Sequence, residues 1–166
     1  MFKKVMSLVL SLSLVLSFAV FSGAVSSEQY RIVEENGDTV YQYDGFKIRI
    51  SDAPTVQSRA SVIEDKTGVA TTKSPATYDL AFTGNKYTYA SITIYNDDDS
   101  ASLIYNIEGI VNDLEFSMGT TIVKAGSNAF VTIEADEGRT LSGGVETTIK
   151  PHSASSVAYQ YISRKS

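Results

Sequence analysis

Short turn signals that separate segments of alternating apolar and polar residues constrain the fold of this chain most. Asn36-Gly37 and Asp44-Gly45 tolerate the positive φ angles of tight hairpin turns. Phe46-Lys47-Ile48-Arg49-Ile50 then alternates with the two-residue period of a half-buried strand. Residues 30–50 are therefore predicted to form a three-stranded meander or two hairpins.

Strand and turn signals continue to the end of the chain, and helical periodicity is hard to find. They recur about every 8–12 residues, a spacing typical of a β-sandwich. The predicted strands cover residues 78–82, 87–95, 101–107, 129–135, 144–150 and 156–163. The structure of residues 107–118 is ambiguous from the sequence, which fits either one helical turn or an irregular crossover between sheets. We predict an all-β protein, an antiparallel immunoglobulin-like β-sandwich over residues 60–166.

The stretch between Ser51 and Pro75 has a different composition. It is rich in Ser, Thr, Ala and Lys, and Pro54 and Pro75 bracket it. This composition predicts a linker with at most one short strand, at residues 60–64.

The first 24 residues carry the pattern of a secretory signal peptide. A basic start precedes the apolar run from Val5 to Phe21, and Ser22-Gly23-Ala24 offers small residues for cleavage. We expect cleavage after Ala24, with Ser26 as the alternative, and a secreted protein that leaves the membrane. An uncleaved anchor is disfavoured because the run is near the lower limit of about 17–25 residues for a membrane span.

The predicted cleavage leaves a lead segment before the main domain. Residues 25–59 are either a propeptide that is removed near Arg59 or extra strands and a hairpin joined to the sandwich. Residues 60–166 form the β-sandwich domain in both cases.

Composition excludes several classes of function. The formal net charge is −5, and the predicted signal removes two lysines, so the secreted form is more acidic still. An acidic domain has no electrostatic reason to bind nucleic acid or anionic lipid. The chain has no cysteine, which excludes disulfides, thiolate metal sites and cysteine nucleophiles.

The single histidine, His152, follows Pro151 in a serine-rich turn. One imidazole cannot build a histidine-based zinc site without cysteine or several carboxylates. No Gly-x-Ser-x-Gly turn supports a serine triad. We therefore expect an exposed loop histidine, no catalytic residues and a protein that is not an enzyme. A hydrolase working through two carboxylates is the alternative.

Asp97, Asp98 and Asp99 form the sharpest polar cluster, in a loop between predicted strands. Calcium takes about 6–8 oxygen ligands, so this loop is a candidate for weak calcium binding. The spacing of an EF-hand loop is missing, and Asp and Asn also favour tight turns for local reasons. We expect a solvated hairpin tip, with weak calcium binding as the alternative and no other cofactor.

Tyr87, Tyr89 and Tyr95 fall on one face of the predicted strand 87–95. Its opposite, apolar face should point into the core and consists of Ala90, Ile92 and Ile94. Exposed tyrosine rings can stack on sugars or anchor a protein partner, which makes these three the candidate ligand-binding residues. The alternatives are that tyrosine serves here only as a strand former, or that another segment covers this face.

The layout resembles that of small secreted β-sandwich proteins of Gram-positive bacteria. The matching features are the signal, the Ser58-Arg59-Ala60 junction, the strand pair at 92–96 and 102–106, and the Lys124-Ala125-Gly126-Ser127 turn. The resemblance implies no activity.

We predict a secreted, non-enzymatic binding or interaction module whose partner is an extracellular protein or glycan. The alternative is a structural or assembly protein of the cell surface or extracellular matrix, in which residues 30–50 add a strand to a neighbouring copy.

Overall fold

A computed structural model describes residues 30–51 and 59–166 of the chain. These residues form eleven strands and no helix, arranged in two antiparallel sheets, which confirms the all-β prediction. The strands are β1 (Tyr30–Glu35), β2 (Asp38–Tyr43), β3 (Phe46–Ser51), β4 (Ser61–Thr71), β5 (Ala76–Tyr87), β6 (Tyr89–Asn96), β7 (Leu103–Val111), β8 (Leu114–Val123), β9 (Asn128–Ala135), β10 (Leu141–Pro151) and β11 (Ser156–Lys165). Within these two ranges, no helix exists that could cross a membrane. The predicted signal peptide lies outside the described residues.

The larger sheet has seven strands in the order β1-β2-β3-β9-β6-β11-β4, and the smaller sheet has four in the order β5-β10-β7-β8. The antiparallel pairs β7–β8, β6–β9, β5–β10 and β4–β11 are nested, as in one long hairpin centred on the β7–β8 turn. Rolling up that hairpin places β10 beside β7 and β11 beside β6. This is the strand order of a jelly roll, whereas immunoglobulin domains pair their strands as ABED and CFG. The predicted immunoglobulin-like subtype is therefore corrected.

The first three strands form the predicted meander and extend the larger sheet. The turn between β1 and β2 places Asn36 at φ 56° and Gly37 at φ 90°, both positive as a type I′ turn requires. β3 then pairs with β9 from Phe46 to Ser51. The side chains of Phe46 and Ile48 are fully buried in the core between the sheets. Residues 30–51 are thus extra strands of the larger sheet, and removal near Arg59 stays a prediction.

Two local predictions were wrong. The predicted linker contains β4, an edge strand from Ser61 to Thr71 whose Val62 and Val69 are 54% and 64% exposed. Apolar and polar residues do not alternate along β4, so its sequence lacks the two-residue period that indicates a strand. The ambiguous stretch 107–118 lies in the β7–β8 hairpin. Asn112 and Asp113 form its tight turn, with φ angles of 52° and 64°.

The core lies between the two sheets and follows strand alternation. The predicted inward residues Ala90, Ile92 and Ile94 are buried there. In the last strand, Tyr159 and Tyr161 also face the core. The outward face of the smaller sheet carries both polar residues and exposed apolar residues such as Ile110 and Ile122, and the candidate site lies on this face.

Candidate functional site

The three predicted ligand-binding tyrosines do not share one exposed face, because the predicted strand 87–95 is interrupted at Thr88. Tyr87 ends β5 in the smaller sheet, where Lys165 Nζ lies 4.3 Å from its ring centroid. Tyr89 begins β6 in the larger sheet and has no exposed surface. Tyr95 is half-buried and meets Phe130 edge to face, with ring centroids 6.3 Å apart. The structure therefore provides no stacking platform made of these three rings.

The acidic loop at 97–99 is organised by hydrogen bonds of its own. The Asp98 carboxylate accepts bonds from the backbone amides of Ser100 and Ala101 at 2.9 and 2.8 Å. The buried Asn96 amide donates to the carbonyls of Ala101 and Val123 at 2.8 and 3.1 Å. No group of three or more His, Cys, Asp or Glu side chains that could hold a metal ion occurs among the described residues. The loop joins β6 of the larger sheet to β7 of the smaller sheet, so it is a crossover between the sheets and the predicted hairpin tip is corrected.

Asp98→Asn is expected to flatten the acid side of the stability profile. The backbone amide of Ser100 is the main cause that lowers the pKa of Asp98 below its ordinary value of 3.8. The ionised carboxylate therefore contributes stability that is complete above that value and is lost as the pH falls through the lower folded pKa. Thermal melting of both proteins from neutral to strongly acidic pH measures the difference.

The matched control is Asp99→Asn, because this neighbouring exposed carboxylate makes no hydrogen bond within the loop. The control should keep the wild-type melting temperature at neutral pH. Parallel melting curves for wild type and Asp98→Asn over the whole acid range would show that the carboxylate does not support the loop.

His152 lies exposed in the turn between β10 and β11, as predicted. Its backbone amide donates to the Ser102 carbonyl at 2.9 Å, which fixes the turn against the start of β7.

A cluster of tyrosines joins the two sheets inside the core. The hydroxyls of Tyr78 and Tyr159 lie 2.6 Å apart, and the rings of Tyr78 and Tyr161 stack with centroids 4.2 Å apart. Burial raises the pKa of Tyr161 to about 12, so its hydroxyl stays protonated at neutral pH. The cluster stabilises the contact between the sheets.

Three carboxylates lie side by side on the outer face of the smaller sheet. Glu146 on β10 is directly opposite Asp79 on β5 and, on its other side, directly opposite Glu108 on β7. All three side chains are exposed. Like charges that face each other across strands destabilise a sheet, so this row costs the fold stability.

The row opens onto two hollows that together form one groove. The larger hollow, of about 680 Å³, is lined by Tyr30, Glu108, Gly109, Ile110, Glu115, Phe116, Ser117 and Glu146. The smaller, of about 350 Å³, is lined by Asp79, Leu80, Ala81, Gly109, Gly144, Val145 and Glu146. Because Gly109 and Glu146 belong to both linings, the hollows are contiguous, and we refer to them as the acidic groove.

An aromatic contact between the sheets forms one rim of the acidic groove. Tyr30 at the start of β1 packs on Tyr41 and Tyr43, with ring centroids 5.5 and 5.3 Å apart. The rings of Tyr43 and Phe116 on β8 have centroids 5.8 Å apart, and this contact holds the meander against the edge of the smaller sheet. On the sheet itself, Ile110 is 54% exposed. The groove thus combines apolar surface with carboxylates.

The carboxylates of the acidic groove are not neutralised by the described residues. No lysine, arginine or histidine lines either hollow. The four ion pairs of the described ranges involve other acids, and the nearby Lys165 ammonium is bound to the Ala81 carbonyl at 2.7 Å. Glu108 accepts one hydrogen bond, from the Asn106 side chain at 3.1 Å. The groove therefore presents uncompensated negative charge.

Sequence reasoning missed the acidic groove because its residues come from separate parts of the chain. Alternation shows that Asp79, Glu108 and Glu146 point outward. Only the jelly-roll strand order places β10 between β5 and β7 and brings the three together.

The fold and the groove define a jelly-roll domain with an open acidic groove on the smaller sheet. Neither the protein-family models nor the curated proteins give a match to this chain. Among solved structures it is similar to the Drosophila melanogaster CENP-C cupin domain, with a TM-score of 0.27 and 10% identity over 85% of this chain and 74% of that one. A structure of Drosophila melanogaster CENP-C bound to CAL1 gives a TM-score of 0.26 and 9% identity over 84% and 77%. Likeness at this level carries no argument about function.

Proposed function

We propose that this protein is a secreted, non-enzymatic binding module that takes a basic segment of an extracellular protein in the acidic groove. The observation that carries the proposal is the row formed by Asp79, Glu146 and Glu108, which borders contiguous hollows without a basic lining residue. The signal pattern in residues 1–24 supports secretion.

Charge complementarity favours a cationic partner. Three adjacent carboxylates repel one another in the free protein, and a bound cation relieves that repulsion in addition to its own attraction. A single small cation would not use the apolar surface of Tyr30 and Ile110. A segment in which basic and apolar residues alternate would use both features.

The first test replaces the central carboxylate, because Glu146 faces an acid on each side. Glu146→Gln is expected to weaken binding of a short peptide of alternating lysine and valine by up to about fivefold, since an exposed ion pair contributes about 0.2–1 kcal/mol. The same variant should melt slightly above wild type in low salt, because two like-charge contacts are removed. Calorimetric titration and thermal melting measure the two effects.

Glu137→Gln is the matched control, because Glu137 is an exposed glutamate in a loop outside the groove. It should leave peptide binding unchanged, and a glutamate–valine peptide should not bind. The proposal fails if both glutamate variants bind the basic peptide as wild type does. Recovery of the peptide with an altered mass would instead show an enzyme.

A further inference from the structure

A row of four polar side chains crosses the outer face of the larger sheet, the face turned away from the smaller sheet. Arg49 on β3 is opposite Thr132 on β9, Thr132 is opposite Ser91 on β6, and Ser91 is opposite Arg164 on β11. Residues directly opposite one another in antiparallel strands project to the same side, with Cα atoms about 4.5–5.5 Å apart. The four side chains are therefore consecutive neighbours, and we call them the hydroxyl row.

The two central hydroxyls of the hydroxyl row are buried without a partner. Ser91 and Thr132 are 3% and 2% exposed, and neither hydroxyl makes a hydrogen bond. Buried hydroxyl groups in native proteins normally bond to something, so a pair of unsatisfied neighbours requires an explanation.

The arginines at the two ends of the hydroxyl row differ. Arg49 is neutralised by Glu35 and Asp38, with N–O distances of 2.6 and 3.0 Å. Arg164 is half-buried and takes part in none of the ion pairs between described residues. The row thus contains one arginine without a counter-ion beside two hydroxyls without an acceptor.

We propose that the hydroxyl row binds an oxyanion, the carboxylate or sulfate group of a ligand. The hydroxyls of Ser91 and Thr132 and the guanidinium of Arg164 can all donate hydrogen bonds to one acceptor. The guanidinium has no acceptor atom of its own and favours a negatively charged partner. Nearby acids are already used: Glu134 is paired with Lys47 at 3.0 Å, and Asp65 accepts from Gln160 at 2.7 Å. This site is independent of the acidic groove, which lies on the other sheet and prefers the opposite charge.

The test titrates the protein with sulfate, acetate and chloride at constant ionic strength and follows backbone amide signals by NMR. Saturable shifts centred on Ser91, Thr132 and Arg164 are expected with sulfate or acetate and not with chloride. The stronger of the two anions identifies a sulfated or a carboxylated ligand. Shifts that are absent, or that rise linearly with every salt, would overturn the proposal.

The double variant Ser91→Ala/Thr132→Val should bind the better anion about tenfold more weakly or worse, because two donors are removed. Arg164→Gln should show a similar loss. Thr147→Val is the matched control, since Thr147 is another fully buried threonine but lies in the smaller sheet, away from the hydroxyl row.

The double variant removes two unsatisfied groups, so it should melt at or above the wild-type temperature, which separates lost binding from lost fold. Equal anion affinity in wild type and the double variant would refute the role of the hydroxyls.

Discussion

Phe46→Ala is expected to lower the free energy of unfolding by about 3–5 kcal/mol, the usual cost of truncating a buried phenylalanine. Phe46 has no exposed surface and stacks on Tyr43 with ring centroids 4.6 Å apart. Its ring also packs on Phe116 of the other sheet, with ring centroids 6.3 Å apart. Alanine would leave a cavity where the meander of the larger sheet meets β8 of the smaller sheet. The backbones around this cavity are held by strand pairing, so the cavity cannot close easily.

Equilibrium unfolding in urea measures the effect of Phe46→Ala. The control is Lys47→Ala, which removes the next side chain and its exposed ion pair with Glu134 at a cost of about 0.2–1 kcal/mol. A loss below about 1 kcal/mol for Phe46→Ala would contradict the structure, because burial and aromatic stacking of this ring would then contribute little.

The position of β3 inside the larger sheet also bears on the predicted trimming near Arg59. Removal of residues before that point would take β3 from β9 and leave the β9 edge unpaired from Phe130 to Ala135. It would also uncover the core beside Ile48 and remove Tyr30 from the acidic groove. If the mature protein nevertheless begins after Arg59, the proposed binding in the acidic groove must occur without its aromatic rim.

Local chemistry made part of the fold predictable. The meander follows from Asn36-Gly37 and from the alternation of Phe46, Ile48 and Ile50, because turn geometry and strand period act over a few residues. The inward face of β6 was predictable for the same reason. Nothing in that local pattern distinguishes a jelly roll from an immunoglobulin domain, since both consist of short antiparallel strands.

Predictions failed where long-range packing overrode the local pattern. Tyr87 and Tyr89 have the same parity, yet the break at Thr88 sends them to different sheets, and Tyr89 is buried on the outer side of its strand. β4 was hidden because Val62 and Val69 remain exposed at a sheet edge. The acidic groove and the hydroxyl row both depend on which strands are neighbours, and that information is absent from any single segment.

Gly109→Ala is expected to destabilise the protein by about 3 kcal/mol, at the upper end of overpacking substitutions, and to abolish binding in the acidic groove. A Cβ atom at Gly109 would collide with the Gly144 carbonyl oxygen and lie 2.8 Å from the Val145 Cα. Both atoms belong to the backbone of β10, so neither can rotate away as a side chain would. The clash must separate β7 from β10, and Gly109 lines both hollows of the groove.

Gly84→Ala is the control for Gly109→Ala, because Gly84 has φ +85° and no atom within 4 Å of an added Cβ. Its expected cost is about 1–2 kcal/mol, from backbone conformation alone. Urea unfolding measures the stability of both variants, and titration with the lysine–valine peptide measures their binding affinity in the acidic groove. If Gly109→Ala unfolds no more easily than Gly84→Ala and still binds the peptide, then β7 and β10 are not as closely paired beneath the groove as the structure places them. The acidic row would then lose its geometric basis, since the adjacency of Glu108 and Glu146 depends on that same strand pair.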